Sequence, residues 1–173
     1  MKIKNEFYFA PGILLKDIDK KNVINAFSDR IEKWYFEPIK IMNNKKLGFA
    51  ATALIASVID ILAKTSIHDL NNHNNMKKYT EWIRDKFKFT EDDALSFYIH
   101  FRCGLLHSGC IESGGYINYE ETSFYRKYKD SLIINPELLC IKLKKVFSEF
   151  IKNEDPEDLI NYLKGKLEEV SDL

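Results

Sequence analysis

Residues 47–63, LGFAATALIASVIDILA, contain one charged side chain, Asp60. So apolar a run has two destinations, a bilayer or a protein interior. A membrane span needs about twenty consecutive apolar residues, and this run is shorter and broken by Asp60, so no membrane is expected. It reads instead as a core helix over 46–65, apolar on all sides and covered by its neighbours. Ala50, Ala51, Ala53, Ala56 and Ser57 are small enough to let those neighbours approach closely. A carboxylate on such a helix needs a partner, because an isolated buried charge is costly. Asp60 either caps a neighbouring helix or pairs with a lysine at the rim, or it hydrogen-bonds Arg102 or His107 and orients it.

The segments that could cover this helix are also helical in pattern. Val23, Phe27, Ile31, Trp34 and Tyr35 mark a helix over 19–36, with Asp17 or Asp19 as its cap. Pro38 is expected to kink or stop it, with 39–44 as a second piece. Met76, Tyr79, Trp82, Ile83 and Phe87 mark another. Asn135-Pro136 and Asp155-Pro156 each open a further helix, with the cap residue before a proline at the first helical position. Residues 1–16 alternate loosely around Pro11-Gly12 and read as an extended arm. Residues 68–76, HDLNNHNNM, read as a loop, with His68 and His73 on its surface. The texture changes over 110–135. Short alternating runs at 116–119 and 131–134, with Gly114-Gly115, predict two strands pairing as a small antiparallel hairpin. The fold expected is all-α: one domain over 1–173, a bundle of five to six helices with that hairpin inserted.

A helix opening at Thr90, with Thr90-Glu91-Asp92-Asp93 as a capping box, carries the most chemistry. It ends in YIHFRCGLLHSG, 98–109, with Gly109 as its cap. Ala94, Phe97, Phe101 and Leu105 form its apolar face. Against them stand Arg102, His100, His107 and Cys103. His100 and His107 are two α-helical turns apart and point the same way. Arg102 and His107, five apart, lie roughly 140° apart around an α-helical axis and about 7.5 Å along it. A long guanidinium arm can still swing into a site shared with the ring.

Arg102-Cys103-Gly104-Leu105-Leu106-His107, near the end of a helix in a small helical domain, resembles the signature of the HEPN superfamily (higher eukaryotes and prokaryotes nucleotide-binding). The resemblance implies a metal-independent endoribonuclease that works as a homodimer on RNA. Arg102 and His107 would be catalytic; beside the resemblance, Asp60, His100 and Cys103 are read from their positions as supporting residues. It also implies a role in toxin–antitoxin or antiviral systems, with a neutralising partner protein. Active members often carry Asn, Asp or His directly after the arginine, where this chain has Cys103.

Other readings are weighed by the same residue types. Cys103, His107 and Cys110 offer thiolate and imidazole, but a structural zinc needs four ligands and no second pair is present. No cofactor is called for, because Gly-rich phosphate loops, G-x-S-x-G elbows and H-E-x-x-H helices are all missing from the sequence. The 26 basic side chains equal the 26 acidic ones, so RNA would have to bind at a local patch. Arg126, Lys127 and Lys129, interleaved with Tyr125 and Tyr128, are the candidate, since aromatic and basic groups together suit bases and phosphates. Three cysteines and no signal-peptide pattern point to a reducing cytoplasm. The alternative function is a non-catalytic helical module that binds RNA, nucleotide or protein.

Overall fold

The computed structural model describes residues 8–68, 70 and 74–171, with side chains to 165. Residues 1–7 of the expected arm and His73 lie outside the described residues. The rest of the arm is a small hairpin, β1 (Tyr8–Ala10) antiparallel to β2 (Ile13–Leu14). Pro11 presets one turn angle and Gly12 takes the left-handed one (φ 75°). Phe9 and Ala10 are buried, and Arg30 Nη1 donates to the Phe9 carbonyl at 2.6 Å.

Helix α1 (Val23–Ile31) follows a turn in which Asp19 Oδ1 accepts from the N–H groups of Lys21 and Asn22. The helix does not stop before Pro38. It widens into a π turn at Glu32–Phe36, closed by the Glu37 N–H on the Glu32 carbonyl, and continues as α2 (Glu37–Asn44). A proline ring clashes with the carbonyl four residues back. One extra residue in the preceding turn relieves that clash and lets the helix run on.

Helix α3 (Gly48–Thr65) is the centre of the fold. Ala51, Ile55, Val58, Ile59 and Leu62 are fully buried. It packs against α2, α4 (Asn75–Phe87) and α6 (Pro136–Asn153). It is long and apolar enough to cross a membrane, but 56% of it is buried within the fold, which fits a core helix. Phe27, Phe36, Phe147 and Phe150 form one aromatic cluster. Tyr79, Phe97 and Phe101 form part of a second, which continues through Phe89 to Phe124 and Tyr125. The caps fall where the sequence places them. Asn135 Oδ1 accepts from Glu137 and Leu138, and Asp155 Oδ1 from Glu157 and Asp158 at the start of α7 (Pro156–Ser171). His68 is not an idle loop residue: its Nε2 lies 2.6 Å from Glu154, a carboxylate only 8% exposed.

The helix opened by Thr90, whose Oγ1 accepts the Asp93 N–H at 3.1 Å, is α-helical only over α5 (Glu91–Phe97). It continues as eleven residues of π-helix, Tyr98–Ser108, to Gly109 at φ 67°. The chain is thus mainly helical, and it also carries a second sheet. The sheet has three strands, β3 (Gly115–Ile117), β4 (Tyr125–Tyr128) and β5 (Ser131–Ile134), in the order β3-β5-β4.

The expected strand pairing is corrected here. The 116–119 run reaches β5 in parallel, and the antiparallel partner of β5 is Tyr125–Tyr128. The Lys129-Asp130 turn closes a far shorter loop than any return from 119 to 131, so local closure selects that hairpin. The Asn135 side chain donates to the Tyr119 and Glu121 carbonyls and pins the intervening loop.

Candidate functional site

The π-helix decides how the motif residues meet. Its bonds run from residue i to i+5, as in the Gly109 N–H on the Gly104 carbonyl. Residues five apart therefore come nearly above one another, where α-helical winding would have held them well apart. Arg102 Nη1 reaches His107 Nε2 at 2.9 Å. A guanidinium has only donors, so Nε2 accepts, and the imidazole in this contact is neutral with its proton on Nδ1.

The other arm of the guanidinium turns inward. Nη2 donates to Asp60 Oδ2 of α3 at 2.8 Å, and Lys64 Nζ, one turn along the same helix, lies 3.8 Å from Asp60 Oδ1. Asp60 thus pairs with a lysine and also bonds Arg102. The Arg102 and Asp60 side chains are only 12% and 17% exposed. The guanidinium also lies over the Tyr98 ring, 5.4 Å from its centre. Burial pulls the Arg102 pKa down, but the hydrogen bond and charge of Asp60, with Tyr98 and Cys103, outweigh it and hold it above its ordinary value. Arg102 is a fixed cation.

Cys103 stands near Tyr98 and Arg102 and helps to raise the pKa of each. His100 goes elsewhere. Seven residues are no longer two whole turns once the helix is π-wound, and the His100 ring lies against Gly114, with its Cβ against Gly115. Burial first, then the charge of Lys127, lowers its pKa against the opposing pull of Glu112. The three cations of the basic-aromatic cluster do not form a free patch. Arg126 forks Glu121 at 2.8 and 2.7 Å, Lys127 lies 3.6 Å from Asp93, and Lys129 sits over the Tyr128 ring at 5.6 Å. Among the described residues, no three His, Cys, Asp or Glu side chains gather as metal ligands would.

Gly104 allows the chain after the motif to fold back on the helix. The Cys110 N–H meets the Gly104 carbonyl and the Glu112 N–H meets that of His100. A Cβ on Gly104 would stand 2.5 Å from the Cys110 carbonyl oxygen and 3.0 Å from the Glu112 nitrogen, both backbone atoms. Gly104→Ala is therefore expected to destabilise the fold by about 1–3 kcal/mol, the usual cost of overpacking. Thermal melting checks this, and an unchanged midpoint would show that the return loop does not pack as described.

No family model, curated protein or solved structure matches this chain. Its chemistry must be read from this geometry. Sequence reasoning passed over Lys64 and Tyr98, although each stands four residues from a named partner, Asp60 and Arg102, a spacing that signals contact along a helix. It took Tyr79 of α4 for core alone, because nothing in the local sequence brings α4 to the motif.

Proposed function

We propose that this chain is a metal-independent endoribonuclease of HEPN type. The observation that carries the reading is the joining of Arg102 and His107 at 2.9 Å, with Asp60 behind the guanidinium. In the proposed reaction the ribose 2′-OH attacks the adjacent phosphorus and the bond to the 5′-oxygen breaks. His107 takes the 2′ proton, the task of a general base. Arg102, planar and always charged, matches two phosphate oxygens and stabilises the charge that builds on them. As Arg102 turns to the phosphate it releases the Nε2 lone pair that the base needs.

The leaving 5′-oxygen takes its proton from a second imidazole that enters the step as the imidazolium, and a homodimer supplies that second ring. Leu95 and Ile99 of the motif helix, four apart, are partly exposed and give such a dimer an apolar face to bury. In this reading the helices form a HEPN bundle acting on RNA in the cytoplasm, in toxin–antitoxin or antiviral defence with a neutralising partner protein.

The test is cleavage of RNA in excess EDTA with analysis of the fragment ends. The expected products are a 2′,3′-cyclic phosphate and a 5′-hydroxyl, with DNA untouched because it lacks the 2′-OH. Loss of activity in EDTA or a 5′-phosphate product would overturn the mechanism. Full activity from a monomer by light scattering would remove the dimer. The pairing of Arg126 and Lys127 with carboxylates favours a second reading, a non-catalytic helical binding module. Intact RNA after prolonged incubation would select it.

A further inference from the structure

Tyr79 is fully buried on α4, yet among the described residues its hydroxyl has no hydrogen-bond partner. Such orphans are rare, because they give up hydration for nothing in return. This one stands at the base of the motif site. The Tyr79 ring stacks on Phe97 and meets Tyr98 edge-on at 5.3 Å, and Tyr98 in turn lies under the Arg102 guanidinium. Asp60 is foremost among the charged groups acting on Tyr79, followed by Arg102. A second buried orphan lies in the same place, the Nε of Arg102. Among the described residues, one unpartnered donor thus belongs to the ion pair itself and another to the tyrosine packed beneath Tyr98.

An arrangement with unused donors at rest points to a second arrangement that uses them. At rest, Asp60 Oδ2 accepts from Arg102. When a phosphate takes the paired donors of the guanidinium, that bond loosens. Lys64 still faces Oδ1 at 3.8 Å, but Oδ2 of a mostly buried carboxylate loses its donor. A donor is then needed from the interior, where the Tyr79 hydroxyl already lies.

We propose that Tyr79 is a positioning residue of this site, whose hydroxyl donates to Asp60 when Arg102 turns onto a phosphate. Burial, then the charge of Asp60, raises the Tyr79 pKa well above its usual value, so the hydroxyl keeps the proton it must donate. The inference rests on Arg102 as the partner of the phosphate and not on RNA cleavage.

Tyr79→Phe in the full chain tests it, because the ring packing survives and only the hydroxyl goes. Removing an orphan relieves the resting fold, so the melting temperature should rise by about 2–4 °C. Affinity for inorganic phosphate, measured by calorimetry, should fall about ten-fold, the usual loss for one hydrogen bond to a charged group. The same substitution made in an Asp60→Asn background should add no further loss of phosphate affinity, since the neutral amide leaves no carboxylate to satisfy. A lower melting temperature would mean an ordinary structural tyrosine and would overturn the proposal. Unchanged phosphate affinity in Tyr79→Phe, or no phosphate binding by the unaltered protein, would also overturn it. Phosphate binding that depends on Tyr79 in a protein that leaves RNA intact would uphold this inference and overturn the ribonuclease reading.

Discussion

His107→Ala is expected to lower the single-turnover rate of RNA cleavage by roughly 10² or more, the usual contribution of a positioned general acid–base group. The fold should be unaffected, because the ring is exposed and its described bond is to Arg102. The loss therefore falls on rate and not on melting temperature. Arg102→Lys should fail comparably, by roughly 10²–10³, as when a single charge-stabilising donor is removed. An ammonium is a point charge. It cannot hold Asp60 and His107 at once, and it lacks the fork that fits two phosphate oxygens. Cleavage of end-labelled RNA by both variants, beside the unaltered protein, is the measurement. Wild-type rates in either variant would mean that the reaction belongs to other residues.

Asp60→Ala should act in the opposite way, on stability first. It would leave the Arg102 guanidinium, 12% exposed, without the carboxylate it bonds at 2.8 Å. Breaking a buried pair from one side costs about 3–5 kcal/mol, because the remaining charge is not compensated. At roughly 2–4 °C per kcal/mol for a chain of this size, the melting temperature should fall by about ten degrees. Removing both partners, as Asp60→Ala with Arg102→Met, should recover part of that loss, since no buried charge is then left alone. Denaturant and thermal melts of the two single variants and the double variant check this. A double variant less stable than Asp60→Ala alone would show that the pair is not the unit described. Asp60→Ala with unchanged stability would show that solvent already reaches the guanidinium.

The parts of this protein legible in its sequence are those set by short-range forces. Apolar content made Gly48–Thr65 the core helix, and Thr90, Asn135 and Asp155 cap helices as their side chains predict. Arg102 and His107 were singled out by residue type, spacing and a resemblance to a family signature. Their contact was not foreseeable at that level, because it depends on winding. An α-helix holds residues five apart away from each other, and the isolated segment has no local reason to adopt the rarer π form. Tertiary contacts supply the reason. Asp60 anchors Arg102 from α3, and the return loop through Cys110 and Glu112 closes over Gly104 and bonds the widened backbone.

The same division explains the sheet. Alternation marked the 116–119 and 131–134 runs as strands, but direction and partner depend on loop closure, and the Lys129-Asp130 turn gave the antiparallel place to Tyr125–Tyr128. It also explains Tyr79, whose helical spacing marks a core residue and nothing more. Only the packing of α4 against Phe97 and Tyr98 brings its ring against the tyrosine that lies under Arg102. Periodicity and caps act over a few residues, so the sequence by itself determined the helices and marked Asp60, Arg102 and His107. The π-winding, the strand partners and the buried carboxylate behind the guanidinium join segments up to some forty positions apart, and those were decided by the tertiary structure, where burial and loop closure outweigh local preference.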